Sequence, residues 1–350
     1  MQECVEKLQR LDVSCKTLHV DVLNMKFFPF ALKMDHHKCL DIAFNSVKQF
    51  VCAARESGYE IIGFIDAGKQ TEETIKKWRQ RREQEARSGR RGVPQGASIL
   101  LGDMFRRLGV TVHYSMVDND DTLAAYAARN GGLVLSADRD FFRYTGCEDP
   151  LTVYETFEIV NGKLKLTPHS NPVSKPGVSS RNVFDYTPET RSYEPTFERI
   201  AVDNKYIRGV PSPLLKFLPN PHYTAQKLRQ ALYARMQRDG ECLCVLESYP
   251  EWLNNDVSWR LEHVKADCSL DDLLDDPTNA LNTIFGHEQK PTGCSWLQWQ
   301  QHQFSQKMVV FDICVAAQRV SNLTCENKEN KTWTLLSLLE MSRSRRHRTK

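Results

Sequence analysis

The first 145 residues alternate between two hydrophobic periods, and that alternation restricts the fold more than any other feature. Residues 17–23 (TLHVDVL), 60–65 (EIIGFI), 110–114 (VTVHY) and 132–136 (GLVLS) are short, apolar runs that read as buried strands. Between the first two, Leu40, Ala43, Phe44, Val47, Phe50, Val51 and Ala54 recur at three- and four-residue spacing. That spacing makes one face of an amphipathic helix, with Gly58 as its C-terminal stop. Ile99, Leu100, Met104, Phe105 and Leu108 make a second such face before Gly109. A third, Ala-rich helix covers 122–129 and opens on Asp120 or Asp121 as N-cap. Strands alternating with helices predict an α/β domain whose parallel sheet carries helices on both faces.

The pattern then changes. Residues 151–166 (LTVYETFEIVNGKLKL) set Asn161-Gly162 between two alternating runs, a hairpin signal. Prolines at 168, 172, 176, 188 and 195 mark a loop or linker. Beyond it the chain reads as mainly helical, with an amphipathic helix over 221–238, a short acidic one from Leu270 and an apolar run over 308–317. The expected organisation is a lead-in (1–16), an α/β domain (17–167), a Pro/Ser-rich linker (168–195), a mainly helical region (196–335) and a C-terminal segment with a basic tail (336–350).

Composition excludes several classes. With 47 Lys and Arg against 44 Asp and Glu in 350 residues, the chain is neither a polycation nor an acidic tail. No apolar run is long enough to span a bilayer. The opening MQECVEKLQRLDVSCK has no apolar core of a signal peptide, so an intracellular protein is expected. Eleven cysteines, an odd number, are then expected as thiols. Cys242 and Cys244 form a C-x-C without a second pair at zinc-finger spacing, and Asp35, His36, His37 and Cys39 read as the polar start of a helix.

The chemistry lies in where the acids fall. Ligands of an open parallel sheet bind beyond the carboxyl ends of its strands. Asp21 lies late in the first strand, Asp66 follows the second, Asp118 and Asp120 the third, and Asp138 and Asp140 the fourth. A lone Asp after a strand is ordinarily a turn former or cap, and Asp121 is read that way. Six carboxylates gathered at one edge repel one another unless cations intervene, and oxygen-rich sites suit Mg²⁺ or Mn²⁺. Residues 76–91 carry eight basic and two acidic residues. This strip, with Lys76, Lys77, Arg79, Arg81 and Arg82, reads as tracking a nucleic-acid backbone from the same edge. The tail SRSRRHRTK adds five basic residues, leaving a net acidic body, and favours the nucleus over the cytoplasm. The acidic run Asp271, Asp272, Asp275 and Asp276 reads as a solvated helix face.

These residues resemble the PIN-like, flap endonuclease/XPG group of 5′-nucleases. Asp21 in LHVDVLNM is similar to the group's first acid, and Asp66 in GFIDAGKQTEETIKKWRQRREQEA to its strand-end Asp before a basic helix. VDNDDTLAAYAA, with Asp118 and Asp120, resembles E-A-E-A-x-x-A-A with Asp for Glu, and VLSADRDFFRY, with Asp138 and Asp140, resembles S-x-D-x-D. Within the group the asteroid-type branch is the nearest likeness, including the stretch RGVPSPLLKFLPNPHYTAQKLRQALYARM. The resemblance implies a two-metal nuclease with Mg²⁺ or Mn²⁺ held by Asp21, Asp66, Asp118, Asp120, Asp138 and Asp140, acting on DNA or RNA. The chain has no Gly-rich helix–turn–helix block after Asp140. A second reading is therefore a catalytically silent PIN-like scaffold binding nucleic acid or protein. A nucleotide hydrolase is disfavoured, since G-x-x-x-x-G-K-[ST] is absent.

Overall fold

The computed structural model describes residues 16–25, 27, 36–66, 72–88, 97–147, 149–174, 176–193, 205–207, 218–237, 243–254 and 256–324. In chain order its elements begin with β1 (Lys16–Asp21), α1 (His36–Glu56), β2 (Tyr59–Asp66), α2 (Glu72–Ser88), α3 (Ala97–Arg107), β3 (Thr111–Ser115), α4 (Asn119–Asn130) and β4 (Leu133–Leu135). There follow β5 (Tyr144–Thr145), β6 (Thr152–Val160), β7 (Lys163–Pro168), β8 (Arg181–Asn182), β9 (Thr190–Arg191) and β10 (Lys205–Ile207). The rest is α5 (Pro221–Thr224), α6 (Gln226–Met236), β11 (Cys244–Leu253), β12 (Asp256–Lys265), α7 (Pro277–Phe285) and α8 (Trp296–Thr324). Two compact units result. The first takes in β1, most of α1, β2 and everything from β3 to β9; the second takes in α2, most of α3 and everything from β10 onward. The basic tail and the first 15 residues lie outside the described residues.

The first unit is α/β, built on a mainly parallel seven-stranded sheet of order β7-β6-β4-β1-β2-β3-β9. Strands β6, β4, β1, β2 and β3 run parallel, and β7 and β9 are antiparallel edges. All four strands expected from the sequence are present, and each is apolar because both faces of a parallel sheet are covered. On α1, Val47, Phe50, Val51 and Ala54 are buried, as their spacing requires. Phe50 meets Phe27, Phe105 and Phe157 in one aromatic cluster. On α4, Leu123, Ala124, Ala125 and Ala127 are buried with Phe64, Val134 and Phe141; small side chains there let the helix lie close to the sheet. After β3 the chain crosses to the far side of β1 to form β4, so the β1–β4 boundary is a switch point of the topology, where open α/β sheets bind ligands.

The hairpin forms as its sequence predicts: Asn161 and Gly162 have φ of 51° and 76°, the positive pair a tight primed turn needs. The stretch expected as loop or linker is more structured than its composition suggests. It carries β8, a 3₁₀ turn (Val183–Asp185) and β9, which pairs Arg191 with Tyr114 and Thr190 with Ser115 on β3. Two-residue strands are too short to leave a hydrophobic period, so the sequence hides them.

The C-terminal region, expected as mainly helical, is not helical alone. The second unit contains a three-stranded sheet, β10-β11-β12, whose two long strands of ten residues each pair antiparallel. Hydropathy misses β11 because its centre is polar: Glu247 and Ser248 are buried. Glu247 is reached by Arg229 of α6 through Nε and Nη2, at 2.7 and 2.9 Å, and by Tyr233 OH at 2.6 Å. The helices α6 and α8 do form, and their buried faces share one core with Val245 and Val264 of the sheet. The acidic run beginning at Asp271 is a 3₁₀ turn, and its Asp271 and Asp275 both pair with Arg235 instead of facing solvent alone. Among the described residues, no helix is long and apolar enough to cross a membrane.

Gly132, entering β4, has φ of +110°, and a Cβ there would come within 2.7 Å of the Thr17 carbonyl and 2.8 Å of His19 Nε2. His19 is buried in β1 and its Nε2 sits 2.8 Å from the Gly131 carbonyl, so neither neighbour can yield easily. Gly132→Ala is expected to destabilise the first unit by about 3 kcal/mol, combining an unfavourable backbone and a steric clash. Urea unfolding followed by circular dichroism measures it.

Candidate metal centre

The carboxylates sit where four adjacent strands end. Asp21 is the last residue of β1 and is buried. Its Oδ2 accepts a 2.8 Å hydrogen bond from Ser136 Oγ, just past β4, and its Oδ1 a 3.3 Å bond from Asn119 Nδ2, at the start of α4. Ser136 Oγ also accepts from Asn24 Nδ2 and from the Asp138 amide, both at 3.2 Å. Asn119 is held in turn by Ser115 Oγ at 3.0 Å. Burial pushes the Asp21 carboxyl up to about 6; the hydrogen bonds from Ser136 and Asn24 oppose this, while the charges of Asp66 and Asp138 add to it.

Asp120, Asp138 and Asp140 come closest together. One ligand oxygen from each lies within 4.8 Å of the others. Burial pushes Asp120 up to about 8, helped by the charges of Asp21, Asp118 and Asp138 and opposed by Arg143. Asp138 caps the 3₁₀ turn Arg139–Arg143, its Oδ1 accepting from the Asp140 amide at 3.0 Å, which turns both carboxylates to one side. Asp66 ends β2 and is exposed, close enough to act on Asp21 through its charge. An all-carboxylate set of this density fits a hard divalent cation and disfavours a soft one.

Two assignments differ from the sequence expectation. The N-cap of α4 is Asp118, not Asp120 or Asp121: its backbone is extended, its Oδ1 accepts from the amides of Asp120 (3.0 Å) and Asp121 (3.3 Å), and its carbonyl takes the Thr122 amide. A cap must be non-helical while accepting the first helical bond, and of the three only Asp118 precedes the helix. Asp121 is instead buried, gripped by Arg181 Nη1 at 2.9 and 2.8 Å, by Tyr144 OH at 2.5 Å and by Arg143 Nη2 at 3.3 Å. Arg143 also lies 3.9 Å from Asp140 and so links this ion-paired group to the carboxylate cluster.

The five basic residues expected to meet phosphates divide by helix face. They lie on α2, in the second unit, with Lys76, Lys77 and Arg81 exposed and Arg79 and Arg82 half-buried. Arg79 donates to Ser248 Oγ at 2.9 Å and stacks 5.0 Å over Trp259, whose Nε1 donates to Glu83 at 2.7 Å. Arg87 pairs with Asp256 at 2.8 Å. That face therefore fastens α2 to β11 and β12, and the opposite face is the cationic one.

Sequence reasoning missed Asn119, Ser136 and Arg143. All three lie inside the motifs already quoted, Arg143 three residues after Asp140. Neutral or cationic residues next to acids carry no signal until the strand order is known. In sequence, the chain matches no protein-family model and no curated protein.

The raised Asp120 fixes a sign. A carboxyl whose proton is held more tightly in the folded state adds most to stability at low pH and progressively less as pH rises from about 4 to about 8. Asp120→Asn keeps the neutral shape without the charge. In metal-free buffer it is expected to raise the unfolding midpoint by several degrees at pH 8, an advantage that shrinks toward pH 4, in a thermal-denaturation series.

Proposed function

We propose that the protein is a divalent-metal-dependent nuclease of the PIN-like type that hydrolyses phosphodiester bonds of DNA or RNA. The observation that carries this reading is the approach of Asp120, Asp138 and Asp140 within 4.8 Å beside the buried Asp21, at the switch point of a mainly parallel sheet. Ions bound there supply the acidification of water and the stabilisation of a leaving oxygen that phosphodiester hydrolysis needs. The chain's own residues do the holding. Asp120, Asp138 and Asp140 offer the ligand oxygens, and Asp21, Asp66 and Asp118 complete the negative charge at the neighbouring strand ends. Ser136 and Asn119 orient Asp21, and the Asp138 cap orients Asp140. On α2, the exposed Lys76, Lys77 and Arg81 neutralise phosphates, while Arg79 anchors the helix and Arg82 is half-buried.

Purified protein with Mn²⁺ is expected to cleave at least one of labelled single-stranded, flap and hairpin substrates. Asp138→Asn combined with Asp140→Asn should lower the rate by on the order of 100-fold or more and abolish Mn²⁺ binding in calorimetry. Absence of both cleavage and Mn²⁺ binding in the native protein overturns the reading; Mn²⁺ binding and nucleic-acid binding that both survive the double substitution unchanged favour the silent scaffold. Replacing Lys76, Lys77 and Arg81 together by Ala should weaken substrate binding whatever its sequence and reduce the slope of log affinity against log salt by about 2–3.

A further inference from the structure

Ser136 is the hub of the carboxylate centre. Its hydroxyl donates to Asp21 and accepts from Asn24 and from the Asp138 amide, so one oxygen orients the buried acid and the turn that presents Asp138 and Asp140. The hydroxyl can do this only if the Ser136 backbone stays fixed where the chain leaves β4. Its amide donates to the Tyr154 carbonyl at 3.0 Å, which ties that side to the sheet. Its carbonyl is met at 2.9 Å by His169 Nε2.

His169 immediately follows β7 and is buried. A carbonyl oxygen only accepts, so Nε2 carries the proton. Nδ1 faces the Glu155 carboxylate at 3.9 Å, and the ring meets Phe142 edge-on, centroids 5.1 Å apart at 90°. The imidazole is thus oriented on two sides, and its Nε2 donor is spent on a fully buried carbonyl. We propose that His169 is a positioning residue of the carboxylate centre: by fixing Ser136 it sets Asp21 and the Asp138–Asp140 turn for divalent-ion binding. The inference rests on the metal reading above, but the geometry it invokes exists without the ion.

The experiment compares native protein with His169→Leu, which fills the space without a donor, and His169→Gln, whose amide can still donate to the Ser136 carbonyl. Two quantities are read: Mn²⁺ affinity by calorimetry, and amide hydrogen exchange across residues 136–140 in metal-free buffer. The Leu variant is expected to lose about 10–100-fold in Mn²⁺ affinity, the usual effect of losing an outer-shell partner. It should also exchange faster at Asp138, and Gln should restore both. A residue that only fills space gives the reverse order, with Leu native-like and Gln impaired, and that result overturns the proposal. If His169→Leu does not fold, His169→Asn, whose shorter amide falls short of the carbonyl, carries the same expectation. If the native protein binds no Mn²⁺, the metal reading fails by itself, and exchange at Asp138 still decides the role of His169: unchanged exchange in the Leu variant overturns it.

Discussion

A carboxylate buried at the end of the central strand is the constraint around which the first unit is arranged. Burying an ionised carboxylate is costly unless hydrogen bonds or cations answer it. Asp21 receives side-chain donors, Ser136 and Asn119 among them, yet burial keeps its carboxyl well above the ordinary range, with the charges of Asp66 and Asp138 adding to the effect. The strand order makes this unavoidable. With β4, β1, β2 and β3 side by side, the acids that follow each strand share one edge. Backbone caps then fix their directions: Asp118 is tied to the first turn of α4, and Asp138 to the turn that carries Asp140.

Two other buried acids, Asp121 and Glu247, are treated differently, and the contrast separates structure from chemistry. Asp121 is answered by Arg181, Arg143 and Tyr144. In the second unit, Glu247 is answered by a bidentate Arg229 and by Tyr233, with Arg229 also reaching Tyr249 at 2.6 Å. Removing one partner of a pair buried that deeply typically costs about 3–5 kcal/mol, so these networks specify packing. Asp120 instead has acids as its main electrostatic neighbours, with Arg143 opposing them. Repulsion left standing in a folded protein is what a divalent cation can relieve, and perturbed carboxylates of this kind gather at functional sites.

The elements most legible in the sequence were the long ones with a single environment. Strands covered on both faces announce themselves as apolar runs, and α1 and α4 as one-sided faces; the Asn161-Gly162 turn is legible because few residue pairs tolerate two positive φ angles. Illegible elements were those whose stability comes from a distant partner. β11 has a polar centre that makes sense only once α6 brings Arg229 against it, and β8 and β9 are too short to carry a period. At the site, the acidic residues could be picked out as a class because they recur at strand ends. Their separate tasks could not. Asp118 takes the cap role that local sequence suggests for Asp120 or Asp121, and Asp121 becomes an ion-pair centre, because a cap is defined by where the helix starts, to within a single residue.

By itself, then, the sequence determined the α/β character of the first unit, the hairpin, the segments that contribute carboxylates and the cationic character of α2, since each follows from local periodicity, turn chemistry or charge. Tertiary structure decided which acids meet, that Ser136, Asn119 and Arg143 stand among them, which face of α2 is fastened down, and that the second unit holds a sheet. The physical reason is range. Propensity and patterning act over a few neighbouring residues, whereas the approach of Asp21 to Ser136 joins residues 115 positions apart and exists only when β4 lies beside β1.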